Sequence, residues 1–215
     1  MSRRFVQERR RDPYYRAAQR EGLRSRAAFK LAYLADRYPL FARGDRVLDL
    51  GAAPGGWSLV ALERTAPRGT VVAVDPRPVE PIDGVEYLRG RVGDPQLVER
   101  LGPELFDVVI SDLSPRISGA YATDHARSVE LVRGASEVAH AVLRDGGRFV
   151  AKLFDGDLRG TLESEIAPQF DRLVRTKPPA SRAPSSEIYL VALGHRRGVP
   201  RGPVPRPDGV PRPDI

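Results

Sequence analysis

The chain has 215 residues, 41% of them hydrophobic, no cysteine and a formal charge of +7. That composition excludes an intrinsically disordered chain, a disulfide-held scaffold and a thiolate metal site, and no apolar run reaches the roughly 20 residues of a membrane-spanning helix. The charge is concentrated: residues 1–30 hold ten basic side chains against three acidic ones, which is the whole excess. Such a segment suits a polyanionic partner, a solvated arm being the plainer alternative. The stretch "MSRRFVQERRRD" has no apolar run behind it, so a cytoplasmic location is expected.

Three regions are expected: a basic arm over residues 1–22, a folded domain over 23–195 and a Pro/Arg-rich, disordered tail over 196–215. The domain opens with an amphipathic helix in "LRSRAAFKLAYLADRY", with Ser25 as its N-cap. A strand follows over 45–52, then a helix in "GGWSLVALERT" and a second strand over 69–76. A short third strand over 84–90 precedes a helical turn or two in "PQLVERLG", with Pro95 near its start. A fourth strand covers 106–114. The long helix over 124–144 repeats Val129, Val132, Ala135, Val138, Ala139 and Val142 at helical spacing. "GRFVAKLF" is a fifth strand, with a helix over 158–168 after it. "FDRLVRTKP" and "SEIYLVALGH" have no helix pattern between them and close the domain as an antiparallel pair. The fold class is α/β: a seven-stranded, mostly parallel sheet with one antiparallel strand near the C-terminus and helices on both faces.

In such sheets a ligand binds at the carboxyl ends of the strands, where the strand order reverses. The residues leaving those ends are Asp49 and Gly51, Asp75, Asp112 and Lys152. The loop "DLGAAPGGWS" has glycine at 51, 55 and 56, but Ala53 stands where a dinucleotide fingerprint needs its second glycine, and Pro54 removes an amide donor. That makes a poor pyrophosphate cradle and a better match for S-adenosylmethionine, which has no phosphate. Asp49 and Gly51 then face the methionine end, and Asp75 accepts both ribose hydroxyls. A bare strand-to-helix turn and a dinucleotide site are the alternatives. Lys152 stands out because a buried ammonium inside an apolar strand is costly unless it is paired. His125, His140 and His195 lack metal spacing, and no metal is expected.

"DLGAAPGGWS", "SDLSP", "VAKLF" and "SSEIYLVA", with "DPYYRAAQREGLRSRAAFKL" upstream, resemble in order the FtsJ/RrmJ family of ribosomal RNA 2′-O-ribose methyltransferases over roughly residues 10–195. The resemblance implies a Rossmann-like class I methyltransferase fold. It implies a catalytic tetrad of Lys30, Asp112, Lys152 and Glu187, with Lys152 as proton acceptor or as a steering charge. Cofactor contacts carry over to Gly55, Trp57, Asp75 and Asp112. Where the family has Gly-Asp after the third strand, this chain has Arg91, which cannot accept from an adenine amino group. That leaves the backbone of Val92, or Asp94, to meet the adenine. The implied substrate is a ribose, of a uridine, in large-subunit ribosomal RNA, free or in the assembled large ribosomal subunit, and the implied state is a monomer. A tRNA anticodon-loop 2′-O-methyltransferase and a non-catalytic RNA-binding assembly factor are the competing readings.

Overall fold

The computed structural model describes residues 24–181, 185–200 and 202. The basic arm and most of the tail therefore lie outside the described residues. In chain order the elements are α1 (Ala27–Arg37), β1 (Arg46–Leu50), α2 (Gly56–Thr65), β2 (Thr70–Asp75), β3 (Val85–Arg89), α3 (Leu97–Leu101), β4 (Phe106–Ser111), α4 (Tyr121–Val142), β5 (Leu143–Phe154), α5 (Arg159–Ile166), a 3-10 turn (Ala167–Gln169), β6 (Phe170–Thr176) and β7 (Glu187–His195).

The strands form one sheet in the order β3-β2-β1-β4-β5-β7-β6. Strands β1 to β5 pair in parallel, and β7 runs antiparallel to both β5 and β6. The order reverses between β1 and β4, which is where a ligand cleft is expected. The central strands are buried on both faces, as their near-continuous Val, Leu and Ile content requires. Successive side chains alternate between the faces. One apolar layer contains Leu48, Val109, Phe149 and Ala192 and packs under α3, α4 and α5 through Leu97, Val132, Ala135, Leu162 and Ile166. The other contains Val47, Ile110, Val150 and Val191 and packs under α1 and α2 through Leu31, Leu34, Trp57 and Val60.

Two local expectations need correction. Ser25 does not cap α1 with its side chain; its carbonyl accepts from the Ala28 N–H at 3.2 Å. Its hydroxyl faces Gly56 of α2, where a Cβ would lie 2.4 Å away. Strand β5 begins at Leu143, not Gly147, because Leu143 pairs with Phe106 and the register then shifts so that Arg148 meets Val108. The exposed Arg144–Gly146 stretch makes that shift. The first residues of the tail are tied to the domain: Arg196 pairs with Asp171 at 2.7 Å, and the Arg197 N–H donates to Asp145 at 2.7 Å.

Candidate active site

Alternation along the strands builds the site. On the face under α1 and α2, Val47, Ile110 and Val150 belong to the apolar layer. Two residues further along the same strands, toward their carboxyl ends, stand Asp49, Asp112 and Lys152. Strand β7 enters from the opposite direction, so its first residues, Glu187 and Tyr189, reach that same end; Tyr189 pairs directly with Lys152. Each strand therefore carries a polar group as a continuation of a core row. Helix α1 lies over this face and brings in Lys30.

The four tetrad residues are brought together. Lys152, 6% exposed, donates to the Asp112 carbonyl at 2.8 Å and pairs with Asp112 Oδ1 at 3.2 Å. Lys30, also 6% exposed, pairs with Glu187 Oε1 at 2.5 Å. Tyr189 joins the two pairs: its hydroxyl donates to Asp112 Oδ1 at 2.9 Å and lies 3.3 Å from Glu187 Oε1. Ser181 donates to the same Glu187 oxygen at 3.0 Å. Burial alone would push the Glu187 carboxyl up, but Lys30, supported by Lys152 and Ser181, holds it below its usual value. Burial, with Asp112 and Glu187 alongside, pushes the Tyr189 phenol well above its usual value, so it stays a donor.

Tyr189 and Ser181 were not singled out in the sequence. The signal for Tyr189 was its spacing, two residues after Glu187 on a strand, which puts both on one face. A second signal is compositional. The chain has only three lysines against 32 arginines. Two of them are Lys30 and Lys152; the third, Lys177, donates to the Ser185 carbonyl at 2.7 Å and ties off the loop that leads into Glu187.

The loop after β1 adjoins this cluster. Gly51 has φ +82° and a Cβ there would come within 2.6 Å of Leu113, while Gly55 has φ +103° at the start of α2. Both positions require a residue without a side chain. Asp49 is fully buried; its Oδ2 accepts from Ser58 at 2.6 Å, and its Oδ1 has no partner among the described residues. Burial raises its carboxyl to about 7 against the pull of Ser58. Asp75 accepts from the Ala53 N–H at 3.0 Å and from the Arg77 N–H at 2.9 Å, with the Arg77 guanidinium at 3.2 Å. A cleft of about 590 Å³ opens beside it, lined by Arg24, Ala53, Pro54, Arg77 and Glu80. Trp57 is buried; its indole N–H donates to the Ala27 carbonyl at 2.8 Å and its ring lies 5.8 Å from that of Tyr189, so it locks α1 to α2. Val92 lines a cleft of about 640 Å³ with Ser114, Pro115 and Gly134. Asp94 is occupied elsewhere, accepting from the Gln96 N–H at 3.0 Å and facing Arg100, and Arg91 is exposed.

No group of three or more potential metal ligands is clustered among the described residues, and no described helix is long and apolar enough to cross a membrane. His125 and His195 are buried and serve the core: His195 contacts His140 at 3.1 Å.

A reversed-order parallel sheet with an antiparallel final strand pair, a glycine-rich loop after β1 and an acid ending β2 defines a Rossmann-like domain of the methyltransferase class. The family model for FtsJ-like methyltransferases matches residues 23–195. A "Ribosomal RNA large subunit methyltransferase E" of Gluconobacter oxydans is 45% identical over 190 residues, covering 86% of this chain and 69% of the relative. One of the same name from Methanothermobacter thermautotrophicus is 44% identical over 196 residues, covering 89% and 93%. A solved ribosomal RNA methyltransferase structure from Plasmodium falciparum superposes with a TM-score of 0.72 at 28% identity, covering 80% of this chain and 98% of that one. The chain belongs to the FtsJ-like methyltransferase family.

Proposed function

We propose that this chain transfers a methyl group from S-adenosylmethionine to a ribose 2′-hydroxyl, of a uridine, in large-subunit ribosomal RNA, as a cytoplasmic monomer. The observation that carries the reading is the pairing of Lys152 with Asp112 at the strand ends, beside the Lys30–Glu187 pair. The relatives named for the large-subunit RNA reaction support the substrate class.

The residues fit the cofactor. The unpartnered Oδ1 of Asp49 suits an ammonium, and Gly51 lets the backbone approach the methionine end. Asp75 suits the ribose hydroxyls, because it ends β2 beside the cleft and the Arg77 side chain that pairs with it is 70% exposed. Val92 lines the cleft open to the adenine, and Asp94 is committed to Gln96. Gly55 and Trp57 fix the start of α2 beside the loop. When bound, S-adenosylmethionine supplies a methyl group on a sulfonium whose departure leaves a neutral thioether and needs no acid.

The chain's own work is on the nucleophile. A ribose hydroxyl is a weak nucleophile and must be aimed and deprotonated. Asp112 fixes the Lys152 amine through two contacts, leaving one of its three positions for the hydroxyl. Lys152 is the group placed to take the hydroxyl proton. Asp112 and Glu187 then stabilise the ammonium that forms. Lys30 fixes Glu187, and Tyr189 keeps the two pairs in one geometry.

The test is transfer of labelled methyl from S-adenosylmethionine to large-subunit particles and to tRNA, both from cells lacking the gene, followed by mapping of the labelled nucleotide. Label at a ribose of the large-subunit RNA is expected. Label in tRNA alone selects the anticodon-loop reaction. No label, together with no cofactor binding by calorimetry, selects a non-catalytic assembly factor.

A further inference from the structure

A third pocket opens at the same end of the sheet, and the reaction as described does not use it. It encloses about 300 Å³ and is lined by Ile117, Tyr121, His125, Phe154 and Ser185. Strand register fixes its place. Phe154 lies two residues beyond Lys152 on β5 and pairs with Glu187 on β7, so the pocket begins where the tetrad ends.

Its walls are held rigidly. Asp124 accepts from the Ser118 N–H and hydroxyl, both at 2.8 Å, and from the Gly119 N–H at 3.0 Å, which pins the loop that follows Asp112. His125 Nε2 accepts from the Leu158 N–H at 3.0 Å. Its Nδ1 is therefore the donor to the Phe154 carbonyl at 2.8 Å. The Tyr121 hydroxyl donates to the Asp155 carbonyl at 2.8 Å, and its ring stacks on His125 at 6.3 Å. Despite this support the apolar surface is open to solvent: Ile117 is 66% exposed and Tyr121 59%. The lining contains neither lysine nor arginine, which separates it from a phosphate site.

We infer that this pocket receives an unstacked base of the substrate RNA, at or next to the nucleotide being methylated, with the Tyr121 ring as its stacking platform. The inference rests on the RNA reading above. Two residues along a strand span about 6.6 Å, so a ribose held at Lys152 has its own base or a neighbouring one within reach of the pocket. Unpaired bases are gripped by aromatic rings, with polar groups such as Ser185 at their edges. An aromatic side chain that is fixed in place but exposed on one face suits that task, since little freedom is lost on stacking.

The experiment measures methylation of unmodified large-subunit particles by the wild type, Tyr121→Ala and Tyr121→Phe, with KM and kcat separated and S-adenosylmethionine affinity measured by calorimetry. Losing one base–aromatic stack costs about tenfold in affinity. Tyr121→Ala should therefore raise KM for the particle about tenfold with cofactor affinity unchanged, and Tyr121→Phe, which keeps the ring, should stay near the wild type. A Phe variant as defective as the Ala variant would mean that the hydrogen bond to Asp155 matters and the stack does not, which overturns the inference. So would an unchanged KM in Tyr121→Ala, or an equal loss of cofactor affinity. A wild type inactive on particles would instead overturn the RNA reading and this inference with it.

Discussion

Replacing Asp49 by asparagine isolates one buried titration and gives it a predictable size. Burial raises this carboxyl from 3.8 to about 7, with the Ser58 hydrogen bond pulling the other way. The folded state then binds the proton more tightly than the unfolded chain does. The stability that Asp49 contributes is greatest at low pH, falls as pH rises through that interval, and levels off above it. At about 1.4 kcal/mol per unit the whole interval is worth about 4 kcal/mol, of which about 3 kcal/mol falls between pH 5 and pH 8. Asparagine cannot titrate, so any fixed cost of its amide appears as a constant offset. Urea unfolding of wild type and Asp49→Asn at several pH values should show the wild type losing about 3 kcal/mol relative to the variant across that window, with equal m-values. Parallel stability profiles would refute the reasoning, because they would mean that Asp49 does not carry a shifted proton. Cofactor affinity should move the opposite way in the wild type, rising with pH as the carboxylate forms beside the proposed ammonium.

Other perturbations separate the roles within the site. Lys152→Ala should abolish methyl transfer with cofactor affinity nearly intact. Lys152→Arg, which keeps a charge but cannot take a proton, should lose at least about 100-fold in kcat if the lysine is the base, whereas substantial activity in that variant would select a steering charge. Lys30→Met removes the closest cation from the half-buried Glu187 and should cost about 3 kcal/mol in urea unfolding. Much of that loss should return in the Lys30→Met, Glu187→Gln double variant, and simple additivity would count against the pairing. Gly51→Ala drives a Cβ to within 2.6 Å of Leu113 at φ +82° and should lower stability by about 1–3 kcal/mol while weakening cofactor binding. Deleting residues 1–11, which hold five arginines, should weaken RNA binding and flatten its dependence on salt; an unchanged slope would mark the arm as merely solubilising.

The sheet was legible because its strands are buried on both faces and read as near-continuous apolar runs, and because the turn glycines punctuate them. The strand ends were legible for the same reason: once "VLDL", "VVIS" and "FVAKLF" are read as parallel strands, Asp49, Asp112 and Lys152 must lie at one end. What a linear reading could not supply was how these groups pair. Lys152 inside an apolar run shows that a partner exists, but only the β5–β7 register places Tyr189 opposite it and so reveals the hydroxyl that spans both ion pairs. Ser25 was misjudged because a serine before a helix is normally a cap; here its hydroxyl faces the start of α2, a tertiary contact without local signature. Asp94 could be proposed for adenine from its position, and only the structure shows its carboxylate turned toward α3.

The scarcity of lysine makes the site spectroscopically separable from the rest of the molecule. All three side-chain amines, Lys30, Lys152 and Lys177, belong to the end of the sheet where the proposed reaction occurs, and every other basic side chain is arginine or histidine. Lysine labelled with carbon-13 next to its amine would give three side-chain resonances, each from a residue bound to a known partner: Glu187, Asp112 and the Ser185 carbonyl. The protonation of Lys152 can then be followed directly as cofactor and then RNA are added, in the full-length protein and with Lys177 as the one exposed lysine beside the two of the site.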